Sequence, residues 1–282
     1  MYDIAIVGTG PAGVSAALTA KTRNKDILLL GRKDLSEKVG KAHLILNYPG
    51  IPDAAGEDLV KAMQDHLDRM GIEITEEKVT NVYAMGDYFA IQCNPTMYEA
   101  KSVIIATGMI SAGTLPGEKE NLGRGVSYCA TCDAALYRGR EAAVISYSPR
   151  EEKEARFLAE MADRVYYLPM YKDEVRLSDP KIDIIAGKPR EIRREDGKSV
   201  LVLEEGEVVS DGVFVLREAV SPGQLVPGLE MEGAHIRTGR DMSTNIRGLF
   251  AAGDITGKPY QYAKAVGEGN VAALTSVDYL AL

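Results

Sequence analysis

The feature that most constrains the fold is a short apolar strand that runs directly into a glycine-rich turn and then into a helix. Ile4-Ala5-Ile6-Val7 is typical of a strand buried on both faces, and Gly8-Thr9-Gly10-Pro11-Ala12-Gly13 follows it at once. Val14, Ala17 and Leu18 then recur at helical spacing. A strand, a G-x-G-x-x-G turn and a helix in this order predict a unit that binds a dinucleotide.

Each glycine of this turn has a mechanical role. Gly8 permits the tight turn, Gly10 lets a pyrophosphate approach the backbone, and Gly13 lets the helix pack against the strand. The alternative is a glycine-rich turn without a ligand, but the strand and helix on either side favour the dinucleotide. The next strand, Ile27 to Leu30, ends at Gly31-Arg32, where an acidic residue for the ribose is expected. The adenosine end must therefore be held in another way.

Two further strands end in turns of small residues, far along the chain. One runs from Val103 to Ile105 and stops at Ala106-Thr107-Gly108, and the other is Gly248-Leu249-Phe250-Ala251-Ala252 before Gly253-Asp254. Together with the first strand they indicate one sheet built from both ends of the chain. The middle is then an insertion.

The insertion carries a βαβ pattern of its own, with a strand at Ala142–Ile145, a helix from Arg150 to about Met161 and a strand at Arg164–Leu168. The predicted fold class is therefore α/β, with two Rossmann-like domains, the first split by the second. The expected boundaries are 1–114 for the first part of the cofactor domain, 115–242 for the inserted domain, and 243–282 for the second part.

Composition excludes several classes of protein. With 41 acidic and 33 basic residues in 282, the formal charge is −8, which argues against a nucleic-acid partner. The longest uncharged run, Ile4 to Ala20, is broken by glycine and proline and does not suit a membrane span. The start Met1-Tyr2-Asp3-Ile4 lacks the basic residues of a signal peptide, and three cysteines are too few for a disulfide framework. We expect a cytoplasmic protein with no membrane partner.

The chemically reactive element is Cys129-Ala130-Thr131-Cys132-Asp133. Two thiols at C-x-x-C spacing at a helix start can form a small disulfide ring and exchange it. A zinc half-site is the alternative, but the other candidate ligands are scattered, with no second pair at ligand spacing: Cys93, His43, His66 and His235. We therefore predict a redox pair and no metal. Asp133 could exchange a proton with a thiol, and Cys93 is expected to be a small buried side chain.

Taken together, these motifs closely resemble the low-molecular-weight thioredoxin reductases. The resemblance covers nearly the whole chain and rests on the first glycine turn, Asn47-Tyr48-Pro49-Gly50, Ala106-Thr107-Gly108, the cysteine pair with Asp133, and Phe250-Ala251-Ala252-Gly253-Asp254. It implies FAD in the split domain, a homodimer, thioredoxin as partner, and catalytic roles for Cys129, Cys132 and Asp133. Within the family Cys132 communicates with the flavin and Cys129 attacks thioredoxin.

The resemblance also implies a set of cofactor contacts. Gly10, Pro11 and Ala12 would face the pyrophosphate, Asn47 would lie near the flavin, and Val79 would contact adenine by its backbone. Asp254 would hold the ribityl–pyrophosphate region. The full set of expected FAD contacts is Gly8, Gly10, Pro11, Ala12, Gly13, Asn47, Val79, Ala106, Thr107, Gly108, Gly253, Asp254, Gln261, Tyr262 and Ala263.

One part of the family pattern is missing. NADPH-dependent members carry a second glycine turn after the first strand of the inserted domain and an arginine cluster after its second strand. Here the first place reads Ile145-Ser146-Tyr147-Ser148-Pro149-Arg150-Glu151-Glu152, and the second reads Leu168-Pro169-Met170-Tyr171-Lys172-Asp173-Glu174. Ser148, Pro149 and Glu151 suit a self-capped helix start, while Glu151 and Glu152 would repel a pyrophosphate. The sequence indicates a nicotinamide domain that has lost its cofactor site.

Relatives with this loss include a ferredoxin-linked group of flavin thioredoxin reductases, so reduced ferredoxin is the expected electron donor. Three alternatives remain open. The first is an NADPH-dependent enzyme with an unusual pocket. The second is a disulfide oxidoreductase in which a second flavin, or a tail aromatic such as Tyr279, fills the vacated space, and the third is a non-catalytic flavin redox sensor. Because ferredoxins are generally acidic, docking would need a local basic face. The candidates are Arg138 with Arg140, and Lys188 with Arg190, Arg193 and Arg194.

Overall fold

The computed structural model describes residues 1–109, 114–217 and 222–282 of the chain. They form two compact units, one built from Met1–Met109 and Ser221–Leu282, the other from Ile110–Val220. The first unit therefore draws on both ends of the chain and the second is inserted between them. This confirms the predicted fold class.

The first part of the first unit alternates strands and helices and then forms a meander. The short segments between the elements carry the residues expected to contact the cofactor. In chain order the elements are β1 (Tyr2–Val7), α1 (Pro11–Thr22), β2 (Ile27–Leu30), α2 (Glu37–Gly40), α3 (Gly56–Arg69), β3 (Ile74–Thr75), β4 (Asn81–Ala84), β5 (Phe89–Gln92) and β6 (Met97–Ile105).

The second unit has a five-stranded parallel sheet and a three-stranded antiparallel meander. Its elements are β7 (Val126–Ser127), α4 (Ala130–Asp133) continued by a 3₁₀ turn (Ala134–Tyr137), β8 (Glu141–Ser146), α5 (Glu152–Met161) preceded by a 3₁₀ turn (Pro149–Glu151), β9 (Arg164–Pro169), β10 (Ile182–Ile184), β11 (Pro189–Glu195), β12 (Lys198–Leu203), β13 (Glu207–Ser210) and β14 (Gly212–Leu216). The parallel sheet runs β10-β9-β8-β14-β7, and β11-β12-β13 forms the meander. The predicted β8–α5–β9 unit is confirmed within one or two residues at each end.

The chain then completes the first unit. The remaining elements are α6 (Pro222–Leu225), β15 (Met231–Glu232), β16 (His235–Ile236), β17 (Leu249–Ala251), a 3₁₀ turn (Asp254–Thr256) and α7 (Tyr262–Tyr279). The sheet of this unit contains five parallel strands in the order β3, β2, β1, β6 and β17. Strand β6 pairs with β1 on one side and, near its end, with β17. The antiparallel strands β5 and β4 branch from the start of β6.

The carboxyl ends of β1, β6 and β17 therefore lie side by side. Val7 pairs with Ile105, and Ile105 pairs with Ala251. Helices α1 and α7 pack on each other beside this sheet, and a Cβ on Gly269 would lie 2.1 Å from the Ala12 carbonyl oxygen. The parallel pairing of these strands brings the three glycine turns to the carboxyl end of the sheet, which is where ligands bind in open α/β sheets. Small residues let α1 and α7 approach each other closely.

The second boundary differs from the sequence-based expectation, which placed residues up to 242 in the inserted domain. In the structure the second unit ends at Val220. The segment after it packs with the first unit because its polar groups are satisfied there: Asn81 Nδ2 donates to the Gln224 carbonyl oxygen at 3.5 Å, and Glu230 N donates to Asn245 Oδ1 at 2.9 Å. Within the described residues, no helix combines the length and the apolar character needed to span a bilayer.

Candidate functional site

The first glycine turn has the close packing that its spacing predicts. Gly8 has φ +117°, and a Cβ there would lie 2.3 Å from the Ala106 carbonyl oxygen. A Cβ on Gly13 would lie 1.8 Å from the Gly8 carbonyl oxygen. Both positions require glycine, since each contact is with backbone that cannot move aside. Thr107 and Gly108 follow Ala106 at the end of β6, with Gly108 at φ +67°.

Gly10 differs from Gly8 and Gly13, because the space that a Cβ would occupy there is empty. No atom lies within 4 Å of a Cβ built there. Gly10 caps helix α1 without a side-chain hydrogen bond, Pro11 is the first helical residue, and the first turn carries no acidic residue. Uncapped N–H groups and the positive end of a helix dipole beside open space fit the pyrophosphate of a dinucleotide.

The third turn, Gly253-Asp254, lies against the first. A Cβ on Gly253, which has φ +93°, would lie 2.9 Å from the Ala12 Cβ. The Asp254 carboxylate accepts from Lys38 Nζ at 2.8 Å. Lys38 of α2 therefore orients the Asp254 side chain, whose contact with the ribityl–pyrophosphate region stays a prediction.

Two residues that the sequence analysis missed hold this turn. Glu268 Oε2 accepts the Gly253 N–H and the Thr256 hydroxyl at 2.9 and 2.8 Å. Lys264 Nζ donates to the Gly253 and Gly257 carbonyl oxygens, each at 2.8 Å. Lys264 and Glu268 are four residues apart on α7, so their i, i+4 spacing just after Gly-Asp was the signal available in the sequence.

The residues expected near the flavin meet at the start of α7. Asn47 Nδ2 donates to Gln261 Oε1 at 2.8 Å, and Tyr262 and Ala263 begin the helix that follows Gln261. Val79 is buried in the segment before β4, and its backbone contact with adenine stays a prediction. The structure thus joins Asn47 to Gln261.

At the expected adenosine end, Gly31 and Arg32 adopt a fixed geometry. Gly31 has φ +158°, and a Cβ there would meet the Thr9 side chain at 2.7 Å. Thr9 Oγ1 donates to the Arg32 carbonyl oxygen at 3.0 Å, while Arg32 Nε donates to Asp34 Oδ1 at 2.8 Å. Close packing against Thr9 therefore explains why glycine stands where an acidic residue was expected.

In the second unit Cys129 and Cys132 form a disulfide. Cys129 caps α4, and its sulfur accepts the Cys132 N–H at 3.2 Å. Cys132 is exposed, and Cys129 is half-buried. The third cysteine, Cys93, is buried in the first unit, and burial, with a smaller effect of Glu77, raises the pKa of its thiol to about 12. It stays protonated and takes no part in exchange.

Asp133 lies beside the redox pair and is oriented by a residue that the sequence analysis did not single out. Ser127 Oγ donates to Asp133 Oδ2 at 2.7 Å and accepts the Cys129 N–H at 3.1 Å. The hydroxyl of Ser127 therefore links the backbone of Cys129 to the carboxylate expected to exchange protons.

At the turn after β8, where the sequence analysis expects a lost nucleotide site, the chain's own side chains contact one another. Tyr147 lies under the Arg217 guanidinium, whose carbon is 4.9 Å from the ring centre. Arg217 makes a bidentate pair with Glu118 at 2.7 and 2.9 Å, and both side chains are at least nine-tenths buried. Ser148 caps the following turn by accepting the Arg150 N–H at 3.3 Å. A pyrophosphate at this helix start would have to displace these contacts.

At the start of α5, the acidic side chain of Glu152 is likewise held by hydrogen bonds within the chain. Glu152, 6% exposed, accepts from the Tyr171 hydroxyl at 2.7 Å and from Arg176 N at 3.1 Å. Burial, together with hydrogen bonds to Tyr167 and Glu152, raises the pKa of Tyr171, so its hydroxyl remains a donor. These residues do not fit a second nucleotide. Tyr279 belongs to the first unit, where it packs on Phe250 with ring centres 6.3 Å apart.

Comparisons with known proteins identify the family of this chain. Residues 2–146 match the model of the pyridine nucleotide-disulphide oxidoreductase family. The thioredoxin reductase of Peptoclostridium acidaminophilum is 33% identical over 99% of this chain and 97% of its own length. That of Bacillus subtilis (strain 168) is 31% identical over 99% of this chain and 95% of its own.

Among solved structures, a ferredoxin-flavin thioredoxin reductase from Clostridium acetobutylicum is 51% identical, with a TM-score of 0.92 over 99% of this chain and 97% of that one. A thioredoxin reductase from Gloeobacter violaceus is 28% identical, with a TM-score of 0.82 over 99% of this chain and 94% of that one. The chain therefore belongs to the pyridine nucleotide-disulphide oxidoreductases and, within that family, to the thioredoxin reductases, which are FAD-binding oxidoreductases.

Proposed function

We propose that this protein reduces the disulfide of thioredoxin with electrons from reduced ferredoxin rather than from NADPH. The observation that carries the proposal is the set of contacts that the chain's own side chains make where a nicotinamide nucleotide is expected in NADPH-dependent relatives. Arg217 lies over Tyr147 and pairs with Glu118, and Glu152 accepts from the Tyr171 hydroxyl. The enzyme of Clostridium acetobutylicum named a ferredoxin-flavin thioredoxin reductase, 51% identical over nearly the full length, supports the same donor.

FAD binds in the first unit, where the three glycine turns meet. The open space at Gly10 and the uncapped start of α1 would hold the pyrophosphate, and Asn47 with Gln261 would lie near the flavin. Lys264 and Glu268 position the Gly253-Asp254 turn. When bound, FAD supplies the conversion of single ferredoxin electrons into the electron pair that a disulfide requires.

The redox pair does the exchange chemistry. Two electrons and two protons convert the Cys129–Cys132 disulfide into a dithiol, and the Cys129 thiolate then attacks one sulfur of the thioredoxin disulfide. Cys132 attacks the resulting mixed disulfide, which re-forms the internal disulfide and releases reduced thioredoxin. Asp133, oriented by Ser127, holds the proton that the leaving sulfur takes up.

The energetics allow this direction of electron flow. A plant-type ferredoxin lies near about −400 mV and thioredoxin near about −270 mV, which leaves roughly 130 mV, or about 6 kcal/mol for two electrons. The donor is therefore sufficient without a pyridine nucleotide.

One assay with two donors tests the proposal. Thioredoxin reduction is followed with chemically reduced ferredoxin and, side by side, with NADPH under anaerobic conditions. We expect steady turnover with ferredoxin and no bleaching of the flavin absorbance by NADPH. Rapid bleaching by NADPH would show that a nucleotide binds near Ser146 to Glu152, and the ferredoxin assignment would then be wrong.

We also infer a cytoplasmic homodimer. A redox pair that cycles through its dithiol form suits a reducing compartment. Val271 and Leu274 of α7, each 37% exposed and three residues apart, are apolar side chains that a second copy could cover. Light scattering of the purified protein measures the oligomeric state directly, and a monomer at micromolar concentration would contradict the dimer.

A further inference from the structure

The second unit contains a buried carboxylate that the reaction described above does not use. Glu154 lies on α5 and is 7% exposed. Its Oε2 accepts the N–H of Ala130, a fully buried residue, at 2.8 Å. Buried carboxylates are rare in proteins because removing their charge from water is costly, so this contact calls for a functional explanation.

The contact reaches the redox pair itself. Ala130 is the first residue of α4, the helix capped by Cys129, and its N–H is separated from the Cys129 sulfur by four covalent bonds. Ala130 and Ala134 pack with Ala155 and Leu158 of α5 in one core cluster. Glu154 is therefore held beside the cysteine turn by the same helix pair that buries it.

A charge in this position acts on the reduced form of the pair. Helix N–H groups stabilise a thiolate, and the Cys132 N–H already donates to the Cys129 sulfur, but the Ala130 N–H, which directly follows Cys129 along the backbone, is donated to the Glu154 carboxylate instead. A negative charge nearby also disfavours a second one. A dithiol whose thiolate is poorly stabilised is a stronger reductant, since the potential of such a couple rises when its reduced form is stabilised.

We propose that Glu154 is a positioning residue of the Cys129–Cys132 pair, one that fixes the first turn of the cysteine helix through the Ala130 N–H and keeps the dithiol strongly reducing. The proposal rests on the disulfide chemistry of this family and is independent of the identity of the electron donor. It predicts that the charge and the hydrogen bond of Glu154 have separable effects.

The Glu154→Gln variant separates them, because a glutamine oxygen can still accept the Ala130 N–H while the charge is lost. Full-length protein with bound flavin is equilibrated anaerobically in buffers of reduced and oxidised dithiothreitol, and the disulfide fraction is measured by thiol trapping and mass spectrometry. We expect the equilibrium constant to shift toward the dithiol by about threefold to tenfold, with the larger shift at pH 8. Alkylation of reduced Cys129 by iodoacetamide at pH 7 should be severalfold faster.

Glu152→Gln is the matched control. Glu152 is a buried carboxylate on the same helix, but it accepts from Tyr171 and Arg176 rather than from the cysteine helix. This variant should leave the dithiol equilibrium unchanged. An equal shift in both variants, or no shift in Glu154→Gln, would overturn the proposal.

A second variant covers the case in which Glu154→Gln does not fold. Glu154→Asp keeps the negative charge, but its side chain is one methylene shorter, so the carboxylate no longer reaches the Ala130 N–H. It should therefore keep slow alkylation of Cys129 while lowering the rate of disulfide exchange. Fast alkylation in this variant would contradict the role assigned to the charge. Neither ferredoxin nor thioredoxin enters these measurements, so their outcome is distinguishable from a failure of the proposed donor.

Discussion

At the scale of single residues, the two sulfurs of the redox pair have different surroundings. Cys132 is exposed, while the Cys129 sulfur accepts the Cys132 N–H and lies 3.3 Å from the Thr131 hydroxyl. The proposed division of roles, in which Cys129 attacks thioredoxin, makes a sharp prediction. The Cys132→Ser protein should trap a stable mixed disulfide with thioredoxin, because no second thiol remains to resolve it.

The matched variant is Cys129→Ser, which should stop turnover without trapping the partner. Non-reducing electrophoresis with mass spectrometry of the linked peptides distinguishes the two. Cys93 should contribute nothing in either protein, since burial keeps its thiol protonated. Trapping by Cys129→Ser instead would reverse the assignment of the two cysteines.

Asp133 gives a second prediction at this scale. An asparagine can still accept the hydrogen bond from Ser127, but it cannot exchange a proton. Asp133→Asn should therefore lower kcat for thioredoxin reduction by about 10²-fold while the flavin content stays at one per chain. Stopped-flow turnover and the visible absorbance spectrum measure the two quantities.

The control for Asp133 is Ser127→Ala, which keeps the carboxylate but removes the hydroxyl that orients it. It should slow turnover less than Asp133→Asn, and Ser127→Thr, which restores a hydroxyl, should recover most of the rate. A wild-type kcat in Asp133→Asn would remove proton transfer from the role of this residue.

At the scale of secondary-structure elements, the cofactor site depends on how closely α7 approaches α1. A Cβ on Gly269 would lie 2.1 Å from the Ala12 carbonyl oxygen, whereas no atom lies within 4 Å of a Cβ on Gly267, two residues earlier on the same helix. Gly269→Ala should push the helices apart and displace Ala12 from the Gly253 turn. We expect a loss of several degrees in Tm and of most of the bound flavin.

Gly267→Ala is the comparison for this element. It replaces a helical glycine in open space, so its stability should rise by up to about 1 kcal/mol with the flavin retained. Thermal unfolding followed by circular dichroism, with flavin content from absorbance, tests both proteins. Equal behaviour of the two variants would mean that the α1–α7 approach does not support the site.

The elements also show how far sequence reasoning extends. Local signals identified β1, α1, β8, α5 and β9, because glycine turns and hydrophobic period act over a few residues. The same local signals could not predict contacts between segments that are far apart in the sequence. The Glu118–Arg217 pair joins residues 99 positions apart, and Glu154 reaches Ala130 across 24 positions. Residues 222–242 lie with the first unit through contacts of the same kind, such as the Asn81–Gln224 hydrogen bond across 143 positions and the packing of Met242 on the core.

At the scale of the whole molecule, the charge distribution bears on how an acidic donor could dock. The chain carries −8, so long-range steering of ferredoxin is unfavourable and a local basic face must compensate. The cluster on β11 is largely neutralised: Arg190 pairs with Glu204 at 3.3 Å, and Arg193 pairs with Glu195 and Glu207 at 3.3 and 3.4 Å. Arg138 and Arg140 are exposed just after the cysteine helix, and Arg138 donates to the Met161 sulfur at 3.2 Å rather than to a carboxylate.

Because Arg190 and Arg193 on β11 are paired with carboxylates and Arg138 contacts the Met161 sulfur instead, we expect the Arg138–Arg140 cluster to contribute more to the association with ferredoxin, if either cluster docks it. Arg138→Glu combined with Arg140→Glu should lower the association rate severalfold at low salt, because two positive charges facing an acidic partner are reversed. Arg190→Glu combined with Arg193→Glu should change it less, since the field of those arginines is already offset by their neighbours. Stopped-flow reduction of the flavin by ferredoxin, from 20 mM to 500 mM salt, should show the first deficit shrinking as screening increases. Equal association rates for all three proteins at low salt would exclude both clusters, and ferredoxin would then have to dock through another surface.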